Sequence, residues 1–499
     1  MKKLCYYAVA ATMFLAACNE SLNEATEVEK DSNESNVEQI SNKSHWGNKI
    51  EDPYTVDHMR LAFKELMKKN NSLSKAGVSV EQIEPTHLHL KFIPKNEEEY
   101  DLLEKDTILN VVPIPFDYDL EGFDGIYRDP ECPEGQPTYQ YAVVRLNHKL
   151  PNVEYIVLDS LFMPFEDDYD QETISKKAGF KRIWDDLELE SIKLTGNFND
   201  EDYIPPSLSK RYYPNGKVEY TDDYIGKVGV PNAKIHVNFS THSHNGYTNS
   251  DGTFKINGRF SYKVHFHVYF KNNDCAIYNG LRAYEQYEAA SYSGGRMITC
   301  NNFHIDESLD KKAAATMHMA GYNYVNNLLN IKQRLDNGPI KLCMDYNNSN
   351  PSMHFWYRNS GNIVDLVNII RDRRREFGAA INAITGLMLE CYSKDHYISN
   401  YDTLLQENWR ACVEQAITAK YYKNYTSSSF EAYNKTTRGL FIELMNRGYS
   451  LYTLESNMKK IAKLEDKKQW DSFKESLKNG RSNSERATLD NLFNYWRKK

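Results

Sequence analysis

The chain has 499 residues, too many for one ordinary domain, so two to four are expected. Hydrophobic residues make up 40% and charged residues 26%, which fits a soluble globular protein and excludes a membrane bundle. The formal net charge of −8 leaves no basic surplus to displace phosphate counterions, which argues against nucleic acid as a partner. Aromatics reach 13%, with 36 tyrosines; strand faces are their ordinary home, and an exposed recognition surface is the alternative. The N-terminus opens with Lys2 and Lys3, and an apolar run ends at Ala17. That run is too short to span a membrane and has the layout of a signal peptide over residues 1–17.

Leu15-Ala16-Ala17-Cys18 closes the run. It resembles the lipobox of bacterial lipoproteins, which implies that Cys18 receives a diacylglyceryl group and becomes the first mature residue. Residues 18–50 read as an acidic tether, with Glu20, Glu24, Glu27, Glu29, Asp31, Glu34 and Glu38 and few apolar residues to offset the entropy of ordering. An acidic stretch behind a lipidated Cys resembles the surface-export signal of Bacteroidetes lipoproteins. That resemblance implies the outer membrane, cell-surface exposure, and membrane lipid as a partner through Cys18. Cys275 with Cys300, and Cys391 with Cys412, flank loops, and either pair could bridge in an exported chain. No C-x-x-C occurs, which speaks against a thiolate zinc site.

Residues 51–165 read as a small α+β domain: a helix over Thr55–Lys69, strands over Thr86–Pro94, Thr107–Phe116, Thr138–Leu146 and Tyr155–Pro164, and a short helix over Glu97–Leu103. His87 and His89 share one face of a strand whose other face holds Leu88 and Leu90, the alternation of a half-buried strand. Residues 166–210 are acidic and polar and read as a linker.

Residues 211–310 carry strands at Lys234–Phe239, Thr253–Ile256 and Tyr262–Phe270, with a tight turn at Ser250-Asp251-Gly252. Val264, Phe266, Val268 and Phe270 point inward; Lys263, His265, His267 and Tyr269 point outward. His242 and His244 fall in a loop; two His-x-His pairs could serve a metal, but no carboxylate is fixed beside them by spacing, and exposed histidines on a polar face are the simpler reading. The order G-x-P-x-x-A-x-x-x-V, T-x-x-D-G-x-F, Y-x-V over Gly226–Lys271 resembles the carboxypeptidase regulatory-like, transthyretin/Ig-like β-sandwich. That resemblance implies a non-catalytic scaffold.

From Lys311 helices dominate, with a domain over 311–430 and a helical subdomain over 431–499. Pro339–Asn348 and Met353–Arg358 read as strands, and a helix pair follows over Val364–Ala416. Its first helix places Leu366, Ile370, Phe377, Ile381, Ile384 and Met388 on one stripe, with Arg375 and Ala379 on the face opposite Phe377. The last helix starts at a cap such as Ser482 or Ser484 and packs Leu489, Leu492, Phe493 and Trp496. Helix, strand, long helix and second helix is the order of a zincin metallopeptidase, whose long helix carries H-E-x-x-H. Residues 313–499 resemble Bacteroidetes lipoproteins with H-E-L-A-H on that helix, E-x-W-A-x-x-V on the next and L-x-x-L-F-N-x-W near the end. Here Arg375-Glu376-Phe377-Gly378-Ala379 stands at the motif. Glu407-Asn408-Trp409-Arg410-Ala411-Cys412-Val413 stands on the next helix, and Leu489 to Trp496 closes the pattern.

The resemblance implies vestigial roles: Glu376 at the catalytic Glu position, and Arg375, Ala379 and Glu407 at the metal positions. Arg cannot donate a lone pair and Ala has nothing to ligate with, so no cofactor is expected. An Arg375–Glu407 pair is expected in the vacated place. The expected fold is a multidomain α+β chain: a small α+β domain, a β-sandwich and a mainly helical zincin-like domain. The expected function is binding or scaffolding at the cell surface without hydrolysis. The strand Ile340, Leu342, Met344, Tyr346 is the candidate for pairing with a peptide at its edge. Two alternatives stand beside this: glycan or host binding through the tyrosines, and a zinc metallopeptidase using other ligands, with His318, His354 and His396 as candidates.

Overall fold

Val56, Met59, Ala62 and Phe63 recur at helical spacing on α1 (Val56–Lys69), and all four are buried. A three-stranded antiparallel sheet follows: β1 (His87–Phe92) lies between β2 (Gln140–Arg145) and β3 (Tyr155–Leu161). Leu90 and Phe92 face a core with Leu103 of α2 (Glu97–Lys105), Leu109, Val111, Ala142 and Val144. The opposite face is covered as well, because Phe116 and Tyr141 lie against His89. His89 is therefore fully buried, and burial pushes its imidazole down to about 3, so the ring is neutral.

The 166–210 reading as a linker is corrected by α3 (Trp184–Leu194), which packs on α1. Phe180, Ile183, Trp184, Leu187 and Ile192 are buried in the same core as Met59 and Phe63. Ile183, Leu187 and Ile192 recur at steps of four and five, near a helical repeat; the surrounding carboxylates masked it. Two of those carboxylates are themselves buried, and Glu188 accepts from the Tyr54 hydroxyl at 2.9 Å and from Ser261 at 2.7 Å.

Eight strands follow: β4 (Asn215–Asp222), β5 (Gly226–Gly229), β6 (Lys234–Phe239), β7 (His242–Tyr247), β8 (Thr253–Lys255), β9 (His265–Tyr269), β10 (Cys275–Asn279) and β11 (Glu288–Ser291). With β12 (Thr299–His304) they form two four-stranded sheets, β11-β9-β6-β7 and β12-β4-β5 with β8 on β4, while β10 joins the next sheet along the chain. Phe254 and Phe266 meet at 6.0 Å between the two sheets, and Val264, Phe266, Val268 and Phe270 are inward as their alternation requires. The outward assignment of His267 and Tyr269 is corrected, since both are buried. The second face of β6 and β9 is covered by the first domain, with Phe116 5.7 Å from His236 and the Lys234 ammonium donating to the Val111 carbonyl at 3.3 Å. Burial pushes that ammonium down to about 8. His242 and His244 are on a strand, not in a loop; His242 is buried and stacks on Phe260 at 4.3 Å.

Next come α4 (Leu309–Leu328), β13 (Ile340–Asp345), β14 (Ser352–Trp356) and β15 (Leu366–Asn368). The helix read from Val364 starts later: Leu366 lies on β15, which pairs with β14, and Ile370 lies outside the described residues. Then α5 (Arg373–Tyr392), α6 (Thr403–Tyr421), α7 (Gly439–Asn446), α8 (Leu451–Ile461), α9 (Asp466–Lys478) and α10 (Asn483–Arg497) complete the chain. The computed structural model describes residues 49–69, 77–118, 128–164, 179–203, 212–279, 288–291, 299–305, 309–328, 340–345, 352–356, 366–368, 373–392, 402–423, 439–462 and 464–498. Among these the chain has ten helices and four sheets, a mixed α+β architecture. One apolar core runs from Tyr54 to Trp496. Lys341 of β13, almost fully buried, pairs with Glu97 and with Asp101 (3.1 Å) of α2, tying the first domain to the last sheet. Cys275 and Cys412 are both free and buried, so neither expected disulfide forms.

The last helix starts at Ser482, whose hydroxyl accepts from the Glu485 N–H while the Glu485 carboxylate accepts from the Ser482 N–H at 2.9 Å. This capping box satisfies two otherwise orphaned donors. Ser482→Ala is expected to lower stability by about 1 kcal/mol in urea unfolding.

Candidate functional site

The stripe on α5 is as its spacing requires: Phe377, Ile381, Ile384 and Met388 are buried. Of Arg375, Glu376 and Met344 only the backbone is described, and Cys18, Tyr346 and His396 lie outside the described residues. Ala379 is half-buried, and Glu407 on α6 is exposed.

The register of the two helices decides what meets what. Phe377 stacks on Tyr421 at 4.6 Å, and Asn382 donates to the Glu414 carboxylate at 2.7 Å. The Arg410 Nε donates to Asn382 Oδ1 at 3.0 Å, and the Arg410 guanidinium lies where a Cβ on Gly386 would come within 3.2 Å of it. These contacts describe an antiparallel pair that sets Ala379 level with about Ile417. Glu407 lies about ten residues further along, roughly 15 Å at 1.5 Å per residue. Arg375, Glu376, Ala379 and Glu407 are therefore not brought together, and an Arg375–Glu407 pair is not within side-chain reach. The carboxylate one turn from the Ala379 level is Glu414, engaged in the chain Arg410–Asn382–Glu414. A zinc ion does not fit this set: the motif positions offer Arg and Ala, and the nearest carboxylate already accepts from an amide.

The other expected sites also move. β13 pairs in parallel with β10 on one side and antiparallel with β14 on the other, so Ile340 and Leu342 lie on an interior strand and its edge is not open to a peptide. His318 is buried on α4, its Nε2 against the Pro231 carbonyl at 2.8 Å, and burial pushes its imidazole down to about 4. His354 lies on the interior strand β14. Of the sandwich tyrosines, Tyr220, Tyr262 and Tyr269 are buried, while Tyr224 and Tyr247 are exposed.

Sequence reading missed one described cavity. It is a groove of about 550 Å³ between the first domain and β7, continuous in its lining with a second cavity of about 250 Å³. Both are lined by Val143 of β2, Ser243 and His244 of β7, and Ile108 and Asn110. Arg145, His148 and Lys149 line the larger one. No linear motif marks this groove, because it is assembled from residues a hundred positions apart.

No family model and no curated protein matches the chain. Among solved structures, a 9R-lipoxygenase from Cyanothece PCC8801 is 12% identical over 48% of this chain and 55% of its own, with a TM-score of 0.14. A likeness of that size carries no argument about fold or function.

Proposed function

We propose that this chain is a lipid-anchored protein of the outer-membrane surface that binds or scaffolds and does not hydrolyse. Its anchor is Cys18, behind the signal peptide of residues 1–17. Its two-sheet unit is read as a carboxypeptidase regulatory-like sandwich, and its C-terminal helices as a zincin-like domain without a zinc set. The observation that carries the non-catalytic reading is the α5–α6 interface. Arg and Ala stand at the two histidine positions, and the neighbouring carboxylate, Glu414, is held by Asn382 and not left for a metal.

The test is zinc binding. The full chain is expected to bind zinc no tighter than about 1 μM, and to show no chelator-sensitive cleavage of casein. Arg375→His with Ala379→His is expected to create a zinc site whose affinity falls with Glu414→Gln and is untouched by Glu407→Gln. Tight zinc binding by the unmodified chain would sink the reading.

A further inference from the structure

We infer that Asp52 and the β6–β7 turn hold a sodium-sized monovalent cation, which ties the entry of the first domain to the sandwich. The inference does not depend on what the C-terminal helices do. Asp52 is 4% exposed, and its Oδ2 has no hydrogen-bond partner. β6 and β7 pair through Phe239 and His242, so the turn between them is Ser240-Thr241. Ser240 has a φ of 51°, where a hairpin of this length ordinarily places Gly, Asn or Asp. Ser and Thr in those places bring two hydroxyls against the Asp52 carboxyl. Ser240 Oγ and Thr241 Oγ1 are buried, and neither closes a hydrogen bond. The same holds for Asn238 Oδ1, whose side-chain nitrogen donates to the Ser240 carbonyl at 3.4 Å.

The donor set selects the ligand. All four atoms are oxygens, without sulfur or imidazole nitrogen among them, which is the preference of a hard cation. Two oxygens bound at right angles to one ion at about 2.4 Å lie about 3.4 Å apart, so they crowd each other without forming a good hydrogen bond. A water molecule in the same place would satisfy the hydrogen bonds but not the charge. Among the described residues no Lys, Arg or His side chain pairs with the Asp52 carboxylate. Lys49 pairs with Asp117 at 3.8 Å, and Asp159 of β3 makes the field at Asp52 more negative. A buried carboxylate needs a counter-charge, and a single carboxylate balances a single positive charge. Thr241 also lines the groove of about 550 Å³, which gives an ion a path from solvent.

The probe is sodium itself, read by the thermal unfolding midpoint of the full chain at pH 8. The comparison is sodium chloride against choline chloride, each at about 0.3 M, so that general screening is matched. Sodium is expected to raise the midpoint of the unmodified chain by about 1 to 2 °C, increasing with its concentration. Asp52→Asn has no charge to balance; it is expected to be the more stable chain in choline chloride and to gain nothing from sodium. Thr241→Val keeps the shape and removes one oxygen, and is expected to lose at least about half of the sodium effect, which Thr241→Ser restores. Should Asp52→Asn not fold, the two Thr241 variants decide alone. An absent sodium effect, an equal one in Asp52→Asn, or one that Thr241→Val keeps in full overturns the inference. So does a rise produced by millimolar calcium and not by sodium, which assigns the site to a divalent ion.

Discussion

Replacing Gly252 with Val is expected to cost about 3 to 5 kcal/mol, a loss reserved for named mechanisms of strain and overpacking. Two of them act here together. Gly252 has a φ of +83°, a region that β-branched residues adopt only under strain. A Cβ built there also meets the Val218 carbonyl oxygen at 2.3 Å, the Gly229 Cα at 2.8 Å and the Val230 nitrogen at 2.9 Å. All three are backbone atoms, and they cannot swing aside as a side chain would. They are held by the ladder itself: the Val218 N–H donates to the Gly252 carbonyl and the Val230 N–H to the Val218 carbonyl, both at 2.9 Å. Relief would require breaking β4 from its neighbours. The control is Gly196, whose φ of +72° is comparable but whose Cβ would meet nothing within 4 Å. Gly196→Val carries the conformational cost alone, about 1 to 2 kcal/mol. Urea midpoints of the two variants separate the terms. Equal losses at both positions would show that the backbone crossing at Gly252 is not a tight one.

The turn at Ser250-Asp251-Gly252 and the inward set Val264, Phe266, Val268 and Phe270 were legible because each depends on neighbours in sequence. The cap at Ser482 was legible for the same reason. The outward set on β9 was not, because a strand's pattern says which residues alternate and not how many faces are covered. The first domain covers the second face, and Phe116, more than a hundred residues away, is what buries His236. The Trp184–Leu194 helix was obscured by its carboxylates, although two of them are buried as acceptors and not solvated. The helix pair shows the sharpest limit. Its motif residues were read from spacing along one helix, while the contact set depends on register between two. That register follows from the hairpin: a midpoint near residue 398 sets position 379 opposite about 417, which selects Glu414 over Glu407. The groove was illegible altogether, since its walls come from β2 and β7 and no periodicity links them.

Asp52→Asn is expected to stabilise the chain above pH 7 and to leave it unchanged near pH 4. Asp52 sits where the entry to the first domain docks on the β6–β7 turn. Its Oδ1 accepts from the Tyr54 N–H at 2.9 Å. Its Oδ2 is buried, and the hydroxyls of Ser240 and Thr241 lie against the carboxyl without closing hydrogen bonds of ordinary geometry. Burial pushes the carboxyl from its ordinary 3.8 up to about 6, outweighing the donors that pull it down. A group whose folded pKa is raised holds its proton more tightly in the native state. Its contribution is fully present below about pH 3.8 and is lost as pH rises through about 6. About two pKa units at 1.36 kcal/mol each give a loss on the order of 3 kcal/mol by neutral pH. The carboxyls of Asp117 and Asp159 are also raised by burial and add to the same trend, so the decline in the unmodified chain is not Asp52's alone. The asparagine variant isolates its share. Its amide oxygen keeps the Tyr54 bond, its NH₂ can donate to Ser240 or Thr241, and it has no charge to bury. Urea midpoints at pH 4, 5.5 and 7.5 should show the variant drawing ahead through the middle value and leading by about 2 to 3 kcal/mol at the last. A constant difference across the three would mean that Asp52 does not titrate in this window and that its carboxylate is stabilised where it lies.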